Sequence, residues 1–73
     1  MSGAAVRVPP LTRRELDVVR AVARGATNVE IAAALSVSVS TVKTHVTHVQ
    51  DKLLARNRVE IAVWAWRSGL VGG

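Results

Sequence analysis

The 73-residue sequence has no cysteine, no phenylalanine and no tyrosine, and its only aromatic residues are Trp64 and Trp66. Without cysteine there are no disulfides and no thiolate metal sites, which fits a reducing cytoplasm. The scarcity of large rings favours close packing of small side chains between helices over an enzyme pocket lined with aromatics. No uninterrupted apolar run approaches the ~20 residues needed to span a bilayer. The N-terminus lacks the basic, apolar and cleavage regions of a signal peptide. No nucleophile–base pair and no glycine-rich phosphate loop is present, so the chain reads as a non-enzyme without a cofactor.

Acidic residues are also scarce, with five Asp and Glu against ten Lys and Arg and a formal net charge of +5. In so short a chain this bias favours a polyanionic partner. Charge alone leaves open an acidic membrane surface or a merely solvated basic face. The length allows one domain, and 49% hydrophobic residues make it globular rather than disordered. A domain this small buries a modest core, which leaves room for pairing with a second copy.

The periodicity predicts four helices after an arm. Residues 1–10, with Gly3, Pro9 and Pro10, read as a flexible arm or linker, or as a basic arm that uses Arg7. Thr12-Arg13-Arg14-Glu15 has the form of a capping box, and Leu16, Val19, Val22 and Ala23 follow at helical spacing. This first helix is expected over about 13–24, closed by Gly25. Thr27-Asn28-Val29-Glu30 is a second capping box, opening a short helix with Ile31, Ala32 and Leu35 on its apolar side that stops near Ser36. Ser38 caps a third helix. Its Val42, Val46, Val49 and Leu53 fall within about 60° of one another on the helix wheel and mark the core face. Asn57 is placed to cap a fourth helix over about 58–68, with Glu60 at its third position. That helix has two apolar faces: Ile61, Ala62 and Ala65 on one, Val59, Val63 and Trp66 on the other, with Trp64 between. A terminal helix of so small a domain has one side to bury internally, so the second suits a partner helix. Gly69 ends the helix, and Leu70 and Val71 are expected to fold back onto the core.

Opposite the valine stripe of the third helix lie Ser40, Thr44 and Thr47, with Lys43 on the flank. Short hydroxyl side chains can approach base edges and phosphates closely. The same face, taken alone, also fits an ordinary exposed polar surface. The preceding short helix and tight connection of about three residues complete a helix-turn-helix. Ala32 sits at the crossing, where a small side chain is needed, and Val37 and Val42 plug the junction. The expected architecture is all-α, a four-helix helix-turn-helix domain with helix 3 as the recognition helix, binding duplex DNA.

Leu11-Thr12-Arg13-Arg14-Glu15, Thr27-Asn28-Val29-Glu30-Ile31-Ala32, Ser40-Thr41-Val42-Lys43-Thr44-His45-Val46, Lys52-Leu53 and Arg58-Val59-Glu60 follow in order. In this arrangement the sequence resembles the LuxR/GerE-type domain, the output module of NarL/FixJ response regulators and quorum-sensing activators. The resemblance spans residues 11–71, leaving 72–73 as a tail. It implies a cytoplasmic transcription regulator of two-component type, either the output half of a longer regulator with a receiver or ligand-binding domain outside this chain, or a free-standing version. It also implies base contacts by Ser40, Lys43, Thr44 and Thr47, with lysine suited to guanine. Phosphate contacts would come from Thr27, Asn28, Thr41, His45 and Lys52. Homodimerisation would run through helix 4, with Val59, Val63 and Trp66 at the interface. The sequence departs from the pattern at Thr47, where some relatives carry lysine, and at Ile61, where alanine is frequent. It departs again at Ser36, where many helix-turn-helix proteins place glycine.

Sharper alternatives are weaker. His45, His48 and Asp51 recur every three residues, but steps of ~300° carry them progressively round the helix, so no metal site is expected. Glu15 and Glu30 sit at capping positions rather than as a catalytic pair. Two rival functions remain at this level: a sigma-factor-like promoter-binding region, and a protein-interaction module working through helix 4 without a DNA role.

Overall fold

The computed structural model describes residues 10–71. The expected arm at residues 1–10, Arg7 included, and the tail at 72–73 therefore lie outside the described residues, apart from Pro10. Four helices and no strand occur among the described residues: α1 (Arg13–Ala23), α2 (Asn28–Leu35), α3 (Val39–Leu53) and α4 (Arg58–Arg67). Each starts where a side-chain oxygen meets a free backbone N–H. Thr12, Thr27, Ser38 and Asn57 accept from the backbone N–H of Glu15, Glu30, Thr41 and Glu60 respectively. The first two boxes are reciprocal, with each glutamate carboxylate accepting from its threonine's N–H at 2.8 Å. At α4 the reciprocal half differs. The Glu60 carboxylate reaches one residue further back, to the Arg56 N–H at 2.6 Å, and also takes the Arg56 guanidinium at 3.1 Å. These bonds hold the Glu60 carboxyl below its ordinary range.

All four helices end in one way. Just past each helix an N–H bonds back over five residues: Ala26 to Ala21 O, Val37 to Ala32 O, Ala55 to Gln50 O and Leu70 to Ala65 O. In each case the residue before it has positive φ, namely Gly25 (86°), Ser36 (58°), Leu54 (56°) and Gly69 (80°). This is the Schellman closure, which satisfies carbonyls that helix geometry leaves open. The residue that closes it turns its apolar side chain inward, and Ala26, Val37, Ala55 and Leu70 all pack against the core. Two closures use glycine, which adopts positive φ without steric cost. The other two place Ser36 and Leu54 in that conformation, so the turn of the helix-turn-helix does hold Ser36 in a left-handed geometry.

The core forms where α1 packs on α4 and α3, and α2 packs on α3. Val18, Val19, Ile31, Val42, Val49, Ile61 and Ala65 are buried at its centre. The α3 stripe faces inward as expected, with Val42 and Val49 buried and Val46 and Leu53 packed at the margin. The α1 stripe requires correction. Leu16, expected inside, is half-exposed, whereas Val18 is fully buried. Because α1 has α3 on one side and α4 on the other, its buried face is wider and rotated from a single-sided stripe. Leu70 and Val71 fold back onto the core, as their apolar character demands.

Candidate nucleic-acid interface

Helix α2 ends at Leu35 and α3 begins at Val39, so three residues, Ser36 to Ser38, make the turn. The left-handed Ser36 reverses the chain, and Val37 packs inward beneath the junction. Ala32 is buried where α2 meets α3. The turn thus fixes α3 with its valines on the core, and the opposite face outward. On that outward face Ser40, Lys43, Thr44 and Thr47 are all exposed. All four expected base-contact residues therefore share one exposed helical surface.

The residues expected at phosphates are spread more widely. Thr27 accepts from the Glu30 N–H at 3.1 Å, which leaves its own hydroxyl proton to donate. Its box engages the N–H groups of Thr27 and Glu30, while those of Asn28 and Val29, in the first turn, have no intrahelical acceptor. Thr41 accepts from the Ser38 hydroxyl at 2.9 Å and likewise keeps a proton to donate. His45 is half-buried, while His48 and Asp51 are exposed. Among the described residues no group of three or more His, Cys, Asp or Glu lies close enough to hold a metal ion.

Lys52 has a second engagement. Its ammonium lies 2.7 Å from Glu15 Oε1 and donates to the Pro10 carbonyl at 3.2 Å. Glu15 is 4% exposed, a buried carboxylate that caps α1 and meets a cation from α3 at once. The Lys52 hydrogen bond, then that of the Thr12 N–H, hold its carboxyl below the ordinary 4.5 against the opposing cost of burial. Asn28 is also engaged. Arg58, at the start of α4, donates to Asn28 Oδ1 at 2.7 Å and to the Ala26 carbonyl at 2.7 Å. This guanidinium pins α4 to the loop before α2, and no local pattern in the sequence announced it. Its partners lie 30 and 32 residues away along the chain.

On α4 the two faces separate. Ile61 and Ala65 are buried, and Trp64 packs against the core. Val59, Val63 and Trp66 are 69%, 41% and 58% exposed. Beside them Leu54, 88% exposed, lines an open groove with Val63, Trp64 and Arg67. An apolar strip of this kind is unusual on a domain that stays alone.

The family model described as "Bacterial regulatory proteins, luxR family" matches residues 9–65. The chain belongs to this LuxR family. Among its relatives are the transcriptional regulatory protein LiaR of Bacillus subtilis, 44% identical over 61 residues, and the response regulator protein VraR of Staphylococcus aureus, 36% identical over 61 residues. In both cases the aligned region covers 84% of this chain but 29% of the relative, so the chain spans under a third of the length of these proteins. The crystal structure of the response regulator ChrA, from a heme-sensing two-component system, superposes with a TM-score of 0.79 at 31% identity. It covers 93% of this chain and 34% of that one. The LuxR-family domain described here is thus an all-helical, DNA-binding module of transcription regulators, a class distinct from enzymes. That membership decides against the sigma-factor-like region. Among the described residues no helix is long and apolar enough to cross a membrane.

Proposed function

We propose that this domain binds duplex DNA sequence-specifically, with α3 in the major groove, and works as a homodimer paired through α4. The observation that carries this reading is the outward face of α3. Four exposed polar side chains, Ser40, Lys43, Thr44 and Thr47, stand opposite a buried valine stripe on the second helix of a helix-turn-helix. Lys43 supplies the donor suited to guanine O6 and N7. Thr27 and Thr41 donate their remaining hydroxyl protons to phosphates, joined by the free N–H groups of Asn28 and Val29 and by His45. Two of the three Lys52 donors already hold Glu15 and Pro10, so its main part is to fix α3 on α1. Its third donor is left for a phosphate.

Pairing follows from the exposed strip Val59, Val63 and Trp66, which a second copy of α4 would cover. Two domains then meet half-sites roughly one helical turn apart. LiaR and VraR are named as regulators and are far longer than this chain. We take the 11–71 unit as the output part of such a regulator, acting in the cytoplasm under a receiver or ligand-binding domain. A module that only binds protein would show no sequence preference on DNA. Methylation interference on a selected duplex tests the placement of α3. Guanine N7 methylation within each half-site is expected to block binding. Interference confined to adenine N3, in the minor groove, would contradict it.

A further inference from the structure

The hydroxyl groups of Thr44 and Thr47 are turned back onto their own helix. Thr44 Oγ1 donates to the Ser40 carbonyl at 3.2 Å, and Thr47 Oγ1 donates to the Lys43 carbonyl at 3.1 Å. A threonine hydroxyl has one proton, so each oxygen is left with lone pairs only. The threonine Cβ carries two heavy substituents. With the oxygen held against the preceding turn, the γ-methyl is the group left to meet a partner. Thr27 and Thr41 are the opposite case. Their oxygens accept from the Glu30 N–H and the Ser38 hydroxyl and retain a proton. These four threonines thus divide into two donors beside helix starts and two methyl-presenting residues on the outward face of α3.

The bases differ in what they offer such a surface. Guanine presents only the N7 and O6 acceptors in the major groove, and a hydroxyl that has already donated cannot bond to them. Thymine presents its C5-methyl, which matches a γ-methyl. The geometry points to Thr44 and Thr47 as specificity-determining residues that read thymine by methyl–methyl contact and reject guanine, leaving guanine to Lys43 on their flank. This assignment rests on the placement of α3 in the major groove.

The test starts by selecting bound duplexes from random DNA with the full chain, and repeating the selection with Thr44→Ala and Thr47→Ala. A position whose preference relaxes in one variant is assigned to that threonine. Thymine is expected there in the wild-type selection. Exchanging that thymine for uracil removes only the C5-methyl, and should weaken binding about fourfold, the worth of one buried methyl group. Thr47→Val keeps the methyl and should bind within about twofold of wild type, the usual range for a tolerated surface change. Thr47→Ser keeps only the hydroxyl and should lose about fourfold, after which the uracil exchange adds nothing. A base other than thymine at the assigned positions, or a serine variant that binds as wild type while valine fails, overturns the assignment and leaves α3 in the groove. A wild-type chain that selects no sequence at all overturns both.

Discussion

Leu54 is the least expected residue in the domain. Its φ of 56° puts a γ-branched side chain in the left-handed region, and the side chain is 88% exposed. That conformation costs an L-residue roughly 1–2 kcal/mol, and no internal packing offsets it. Ser36 stands in the same geometry at φ 58°. Glycine at either site removes the steric cost but loosens the unfolded chain by ~0.4–1 kcal/mol. The expected net gain is up to ~1 kcal/mol for Leu54→Gly and for Ser36→Gly. In a domain of this size that is a rise of ~4–8 °C in Tm, measurable by thermal melts followed by circular dichroism. A fall in Tm for Leu54→Gly would mean that the leucine side chain stabilises the fold. The helix starts were fully legible in the sequence because Thr12, Thr27, Ser38 and Asn57 carry a chemical signature of capping. Glycine marks the ends at Gly25 and Gly69, and the second helix reads as stopping near Ser36, whereas the end at Leu54 carries no such mark. At Ser36 and Leu54 the same closure forms without its glycine, because the inward pull of Val37 and Ala55 fixes the geometry from outside the turn.

Between elements, two polar ties set the positions of the helices. Lys52 links the C-terminal end of α3 to the first turn of α1, and Arg58 links α4 to the entry of α2. Neither was legible in the sequence. Capping joins residues three apart, whereas the Lys52–Glu15 pair spans 37 positions, and only the folded chain brings it together. The rotation of α1 escaped a one-sided pattern for a related reason, since a helix with neighbours on both sides buries more than one stripe. The Glu15 carboxyl is more acidic folded than unfolded. Its contribution is therefore fully present above the unfolded value near 4.5, and is lost as the pH falls below it through the folded value. Glu15→Gln keeps the shape and removes the charge, and should destabilise by ~1.5–3 kcal/mol at pH 7, the range for a hydrogen bond to a charged group. In urea denaturation the gap between wild type and variant should close from pH 6 towards pH 3. A gap independent of pH would remove the ion pair from the stability of the fold.

For the whole molecule, the fold of residues 10–71 and the family were legible, while the proposed DNA face could be assembled as a set of residues but not as chemistry. Ser40, Lys43, Thr44 and Thr47 could be placed on one side of a helix by spacing alone. Which hydroxyls keep their protons, and which cations are already engaged, emerged only from the packed structure. Pairing belongs to this scale too. Val63 is 41% exposed, so Val63→Asp should leave the monomer folded while placing a charge in the α4 strip. Binding to a duplex with two half-sites should weaken roughly tenfold or more, as for a damaged interface hot spot, with single half-site affinity unchanged. Equal losses on both duplexes would remove α4 from pairing. Affinity for any duplex should fall with salt, because phosphate contacts release counterions. Whether α3 reads bases is decided by titrating wild type and Lys43→Ala against a selected duplex and a scrambled one at fixed salt. Lys43→Ala should lose ~1–3 kcal/mol on the selected duplex, with relaxed preference at one guanine and little change on the scrambled one. Unchanged affinity and preference on the selected duplex would contradict the placement of this helix face on the base edges.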